Sequence, residues 1–164
     1  MQTLPEGAPA TLFEAFSYIA QCDAPSIEHL KVMVMVEAAG KALYDDMAEG
    51  VDQPEVKVLL QRNGREELAH AHRVSRAIWE LTGEPYPVPS DSENPYLASP
   101  LPRKAVTRET LTSLADGEDG GEQLYKRWAT NSANGEAAAL FRQNGREELE
   151  HGSRLREAAN LLAS

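Results

Sequence analysis

Two segments of this chain place a glutamate three residues before a histidine. Residues 61–73 read QRNGREELAHAHR and residues 142–154 read RQNGREELEHGSR, which gives Glu67 with His70 and Glu148 with His151. On an α-helix that spacing sets a carboxylate and an imidazole on one face, one turn apart. Two such helices facing each other supply half the donors of a two-metal site inside a four-helix bundle.

A longer repeat supplies the remaining carboxylates. At the same offset of 81 residues, EAAGKALYDDMA (37–48) falls on EDGGEQLYKRWA (118–129). Glu37 lands on Glu118, Gly40 on Gly121, Leu43 on Leu124, Tyr44 on Tyr125 and Ala48 on Ala129. Each half therefore carries a lone Glu and, 30 residues later, the Glu of a Glu-x-x-His pair. Repeats of this length mark a duplicated supersecondary unit, and here the unit is a helix pair. Two hairpins related by a pseudo-twofold bring Glu37, Glu67, His70, Glu118, Glu148 and His151 together.

That set makes little chemical sense without metal. An unpaired buried carboxylate is expensive, and four together repel one another. Two divalent cations balance four carboxylates. Mixed Glu/His donors suit iron or manganese better than magnesium or calcium, which favour oxygen shells. Zinc can take the same donors, as when a protein is isolated with it, but offers no redox chemistry. A single Glu-x-x-His is ordinarily a solvated helix face. These pairs, like Glu37 and Glu118, fall instead on apolar stripes, where solvated residues would not.

The neighbours carry weaker expectations. Glu66 and Glu147 precede the pair glutamates by one position and point about 100° away, toward solvent or nearby arginines. Glu122 lies one turn after Glu118 and is either an alternate metal ligand or solvent-facing, as its repeat partner Lys41 indicates. Tyr44 and Tyr125 follow Glu37 and Glu118 by seven residues on the same face. They are either core tyrosines or hydrogen-bond donors to a metal-bound carboxylate, with a radical or proton-relay role the more remote option. Asn63 and Asn144, one turn before Glu67 and Glu148, either orient the ligands or cap the polar layer. His29 and His72 have no repeat counterpart and read as surface residues; Trp79 and Trp128 read as core or interface aromatics.

Four long helices must position these groups. The first runs over about 26–48, with Glu37 in mid-stripe and Gly50 closing it. Asp52-x-x-Glu55 reads as a capping box, with Pro54 in the first turn of the second helix, which runs to Leu81 and stops at Thr82-Gly83. The third runs over about 107–131. Gly117, Gly120 and Gly121 crowd its centre at a cost in helix propensity, either for close packing or for a local bulge. The fourth runs from about Gly135 to Leu162. Ahead of them, residues 1–10 read as an arm and Thr11–Cys22 as a short amphipathic helix. Residues 83–106 hold six of the chain's ten prolines. A loop that long needs a use, and a crossover along a bundle whose second and third helices run parallel provides one. One domain over 1–164 follows: arm and short helix 1–25, hairpin 26–82, crossover 83–106, hairpin 107–164.

Bulk properties narrow the class. The chain has 164 residues, a formal charge of −10 and one cysteine, Cys22. One cysteine excludes an internal disulfide framework or a four-cysteine iron or zinc centre. The negative charge disfavours a nucleic-acid partner. The N-terminus lacks a signal sequence, and the longest apolar run, Val32–Val36, is far short of a membrane span. No membrane partner and a cytoplasmic location are expected.

Taken together, the pattern Glu … Glu-x-x-His … Glu … Glu-x-x-His over about residues 26–162 resembles the ferritin-like di-iron carboxylate superfamily, and within it the rubrerythrin-type branch. The resemblance implies an all-α, ferritin-like four-helix bundle with one long crossover between helices two and three, plus the short N-terminal helix. It implies Glu37 and Glu118 as terminal carboxylates, Glu67 and Glu148 as metal bridges, and His70 and His151 as terminal nitrogen ligands. Tyr44 and Tyr125 look like the tyrosines that rubrerythrins place behind their carboxylates. The cofactor implied is two iron ions, with manganese or a mixed pair as variants. Departures are visible too. Rubrerythrins proper carry a four-cysteine rubredoxin domain that feeds electrons to the iron; without it an external electron donor is expected. Leu68 stands where bacterioferritins have a haem-binding Met. The short fifth helix of cage-forming ferritins is lacking, so a homodimer is expected rather than a cage. The implied activity is reduction of hydrogen peroxide or dioxygen, or oxidation of Fe(II). The alternatives are a non-enzymatic metal-binding or structural module, a dimanganese catalase, or a di-iron oxygenase.

Overall fold

Helix starts are written locally in the side chains. Thr11, Ser26, Thr107 and Asn134 each accept a backbone N–H from the first turn of the helix that follows, the contact that satisfies an orphan donor at a helix N-terminus. The computed structural model describes residues 1–99 and 105–162. It contains five α-helices: α1 (Leu12–Ala20), α2 (Ile27–Glu49), α3 (Pro54–Thr82), α4 (Arg108–Asn131) and α5 (Gly135–Leu161). The described residues contain no strand. The architecture is a ferritin-like four-helix bundle of α2–α5 with α1 appended.

One start differs from its sequence reading. The N-cap of α3 is Gln53, which makes no side-chain cap bond, so Asp52 and Glu55 form no capping box. Pro54 opens that helix instead; its missing N–H and fixed φ suit the first turn. At the other end Gly83 has φ 75°, a left-handed C-cap that favours glycine.

α2 packs along α3, α4 along α5, and α3 against α5. By contrast, α2 and α4 stand apart. The first half of α2 is buried nearly all round: Val32, Met35 and Val36 join Leu30, Met33 and Val34 in the core. A one-faced stripe does not describe it, because α1 and a 3-10 turn at Pro95–Leu97 cover its outer side. Asn94 ties that turn down by donating to the Met35 carbonyl at 2.8 Å. The turn lies within the proline-rich segment between α3 and α4, of which residues 100–104 lie outside the described ones.

The apolar interior falls into two clusters. One gathers Ile19, Val32, Met35, Ile78, Trp128 and Phe141; the other gathers Tyr44, Val56, Leu60, Leu111 and Leu155. Between them lies a layer of buried polar side chains. Apolar burial drives folding at roughly 25 cal/mol per Å², so two apolar plugs flanking a polar layer both fix the helices and keep that layer dry. Trp128 is fully buried in edge-on contact with Tyr125 and Phe141; its indole N–H donates to the Cys22 carbonyl at 2.8 Å. Trp79, in contrast, is partly exposed under the Arg76 guanidinium.

Candidate metal centre

The polar layer contains all six repeat-related groups. Glu37 (α2), Glu67 and His70 (α3), Glu118 (α4), and Glu148 and His151 (α5) are each at most 9% exposed. One donor atom from each of Glu67, His70, Glu148 and His151 lies within 4.8 Å of the others. The two imidazoles stack with centroids 5.0 Å apart. Their Nδ1 atoms face the carboxylates. His70 Nδ1 lies 3.2 Å from Glu148 and 3.6 Å from Glu37. His151 Nδ1 lies 3.1 Å from Glu67, 3.6 Å from Glu148 and 3.8 Å from Glu118.

Close as they are, these approaches are ion pairs rather than aligned hydrogen bonds, and both Nδ1 atoms are buried without a hydrogen-bond partner. A buried polar atom with no partner costs about 1–3 kcal/mol. Two orphaned imidazole nitrogens aimed among four carboxylates are the donors that a pair of cations would satisfy. The backbone makes room for them. A Cβ on Gly40 would stand 3.0 Å from Glu67 Oε2, and one on Gly121 would stand 3.3 Å from Glu148 Cδ. Repeat-related glycines thus admit the repeat-related carboxylates.

Each imidazole is aimed from behind by the opposite hairpin. His70 Nε2 lies 3.1 Å from Glu147 on α5, and His151 Nε2 lies 3.2 Å from Glu66 on α3. Arg73 donates to Glu147, and its Nε donates to Asn144 at 2.5 Å. Arg154 donates to Glu66, and its Nε donates to Asn63 at 2.6 Å. Asn63 and Asn144 in turn donate to the His151 and His70 carbonyls, both at 3.3 Å. A carboxylate at Nε2 fixes the ring so that Nδ1 is the metal-facing nitrogen. Glu66 and Glu147 are therefore not simply solvated: they do pair with arginines, but they also hold the imidazoles. Arg73 and Arg154 went unnoticed in the sequence, although both copies of the 13-residue motif end on them.

The tyrosines cross over as well. The Tyr44 hydroxyl donates to Glu118, and the Tyr125 hydroxyl donates to Glu37. These bonds span α2 and α4, the pair of helices that stand apart. Glu122 is half-buried and makes no hydrogen bond or ion pair with the six. His72 is exposed, while His29 stacks on Tyr18 with centroids 4.5 Å apart.

Electrostatics record the strain of this assembly. Burial pushes the Glu67 carboxyl well above its usual range, and the Glu37 charge adds to it. Burial and the Glu148 charge lift Glu118 to about 8. Burial works to lower both imidazoles, but the surrounding carboxylates outweigh it; His151 rises to about 12, and His70 is likewise raised well above its usual value. Burial opposes ionisation of Glu147 too, yet His70, Gln143 and Arg73 hold it at about 2. Both tyrosines are raised well above 10, by burial first and then by neighbouring carboxylates. The layer therefore keeps protons where divalent cations would otherwise sit.

A cavity of about 470 Å³ reaches Glu37, Glu67, Glu118 and Glu148 from the open α2/α4 side.

Comparison with known proteins bears on the same residues. The family model for rubrerythrin matches residues 28–159, which takes in all six groups. Neither the curated proteins nor the solved structures yield a match. The buried Glu/His cluster fits a di-iron carboxylate site, and the match spans most of the chain: this protein belongs to the rubrerythrin family.

Proposed function

We propose that this chain is a di-iron redox protein that reduces peroxide. The observation that carries the reading is the pair of orphaned Nδ1 atoms pointing among four buried carboxylates. In this reading Glu37, Glu67, Glu118 and Glu148 would hold the two metals together with His70 and His151, the imidazoles through Nδ1. When bound, a reduced iron pair supplies the two electrons that break a peroxide O–O bond. The chain's own residues hold that pair in place. Glu66 and Glu147 fix the imidazole rings, and Arg73 and Arg154 keep those outer carboxylates ionised. Tyr44 and Tyr125 anchor Glu118 and Glu37 by hydrogen bonds from one side, leaving the other carboxylate oxygen for metal. The apolar clusters above and below exclude water.

The overall change is H2O2 with two electrons and two protons giving two H2O, so the reading requires an external electron donor to restore the reduced state. Iron is the metal proposed, with manganese or a mixed pair as variants.

The test is anaerobic loading with Fe(II), a count of bound iron, and then addition of hydrogen peroxide while ferric absorbance is followed. Rapid oxidation of two irons per peroxide supports the reading. Dioxygen evolved by manganese-loaded protein would instead make it a catalase. No metal-dependent absorbance, together with melting that ignores both metal and chelator, would instead favour a non-enzymatic structural module.

A further inference from the structure

Gly117 and Gly120 sit mid-helix in α4, where each costs about 1 kcal/mol relative to alanine. Gly121 has a packing reason, the approach of Glu148. These two have none: a Cβ on either meets nothing within 4 Å. Nor do they mark a bulge, because α4 runs through them as regular helix. What they share is a wall of the cavity above the carboxylates.

That cavity is built for something apolar. Met33, Val36, Leu114 and Leu124 line it, and α1 lends Phe13 and Phe16. Those two phenylalanines are 82% and 50% exposed. Arg127 also lines it, but its Nη2 donates to the Ala20 carbonyl at 3.2 Å and its charge is balanced by Asp23, 3.1 Å from Nε in an ion pair. With that cation paired, nothing in the lining recruits an anion. Size matters as well. Hydrogen peroxide, with two heavy atoms, needs roughly 60 Å³ at the liquid-water share of about 30 Å³ per molecule. The cavity offers about 470 Å³, within the range of organic-ligand pockets and enough for about fifteen heavy atoms on the same scale.

We propose that this cavity is the substrate pocket for an uncharged, apolar organic hydroperoxide, and that Gly117 and Gly120 lack side chains to keep it open. The proposal rests on the peroxide-reducing reading above. The hydroperoxide RO–OH loses its O–O bond. Two electrons come from the reduced metal pair and two protons from solvent, and ROH and water leave. The external electron donor then returns two electrons to the pair.

The test uses the full chain, cumyl alcohol as an unreactive probe, and the variants Gly117→Leu and Gly120→Leu. Isothermal titration of metal-free protein is expected to show one alcohol bound per chain. Either variant should weaken that binding at least tenfold without lowering the melting temperature. In anaerobic Fe(II)-loaded protein, the rate of iron oxidation by cumene hydroperoxide relative to hydrogen peroxide should fall at least tenfold in the variants. Absence of alcohol binding, or variants that bind like wild type, overturns the pocket even where hydrogen peroxide oxidises the iron. Alcohol binding with iron that neither peroxide oxidises overturns the hydroperoxide assignment together with the redox reading. Loss of a dimer in the variants, with no alcohol bound to wild type, overturns the proposal and gives this face to a second copy of the chain.

Discussion

Replacing Gly40 by alanine separates the fold's stability from its metal affinity. The new Cβ would stand 3.0 Å from Glu67 Oε2, with Cδ at 3.2 Å and Cγ at 3.3 Å. Ordinary contact begins near 3.5 Å, so the carboxylate must retreat by about 0.5 Å. Metal–ligand distances tolerate about 0.2 Å. A loss of metal affinity of about 10–100-fold is therefore expected, the scale seen when a ligand loses its support. Meanwhile α2 gains about 1 kcal/mol of helix propensity, so the metal-free protein should melt no lower than wild type. Gly121→Ala is the internal comparison. Its nearest contact, Glu148 Cδ at 3.3 Å, requires a retreat of only about 0.2 Å, and a smaller loss follows. Anaerobic competition of Fe(II) or Co(II) against a chelating dye, beside thermal melts of metal-free protein, reads both quantities. Wild-type affinity in Gly40→Ala, or a larger loss in Gly121→Ala, would refute the claim that these glycines exist to admit Glu67 and Glu148.

Four further outcomes follow from the same geometry. Metal binding should release protons and tighten with rising pH, because Glu67, Glu118, His70 and His151 all have raised proton affinity in the metal-free fold. A group whose folded pKa is raised stabilises the fold below its unfolded pKa and loses that effect as pH climbs toward the folded value. The metal-free protein should therefore lose stability from pH 4.5 to about 8 as Glu118 gives up its proton, whereas Glu147, held at about 2, adds no slope there; melts that rise over this window would contradict the assignment. Tyr44→Phe strips Glu118 of its donor and should cost the metal-free protein about 1–3 kcal/mol, measured by denaturant unfolding, while two metals per chain are retained. Arg73→Met leaves Glu147 and the Asn144 side-chain oxygen without their guanidinium, and metal affinity should fall about 10–100-fold by the same dye competition.

The bundle was legible in the sequence because its signals are local. Apolar period, Pro54 and Gly83 each act within one or two turns. The six inward groups were legible because each sits on an apolar stripe and recurs at a fixed offset. What could not be read was partnership. A stripe says which way a side chain faces on its own helix and nothing about the helix opposite. Glu66 and Glu147 lie about 100° off the stripe and so looked solvated; only the packing of α3 on α5 turns them onto the imidazoles. The burial of α2 on its second face was hidden for the same reason, since α1 and the turn at Pro95–Leu97 supply the cover. The three glycines of α4 look alike in sequence, and only space distinguishes Gly121 from Gly117 and Gly120.

Reciprocity explains why the halves had to stay alike in some places and not in others. The contacts that orient the six groups cross between hairpins: Tyr44 to Glu118 and Tyr125 to Glu37, Glu66 to His151 and Glu147 to His70, Asn63 and Asn144 to the opposite histidine carbonyls. Each contact joins a position in one half to the equivalent of its mate in the other, the isologous logic of a twofold interface. A hairpin alone would leave each of these buried groups unsatisfied at about 1–3 kcal/mol apiece, so the site and the docking of the hairpins form together. The cavity obeys no such symmetry. At the offset of 81 residues, Gly117 and Gly120 correspond to Val36 and Ala39, both buried side chains on α2, and among the described residues α1 has no α-helical counterpart ahead of α4. The repeated residues hold the donor set, and the unrepeated ones open the way to it; access to the carboxylates is thus the property in which the second hairpin departs from the first.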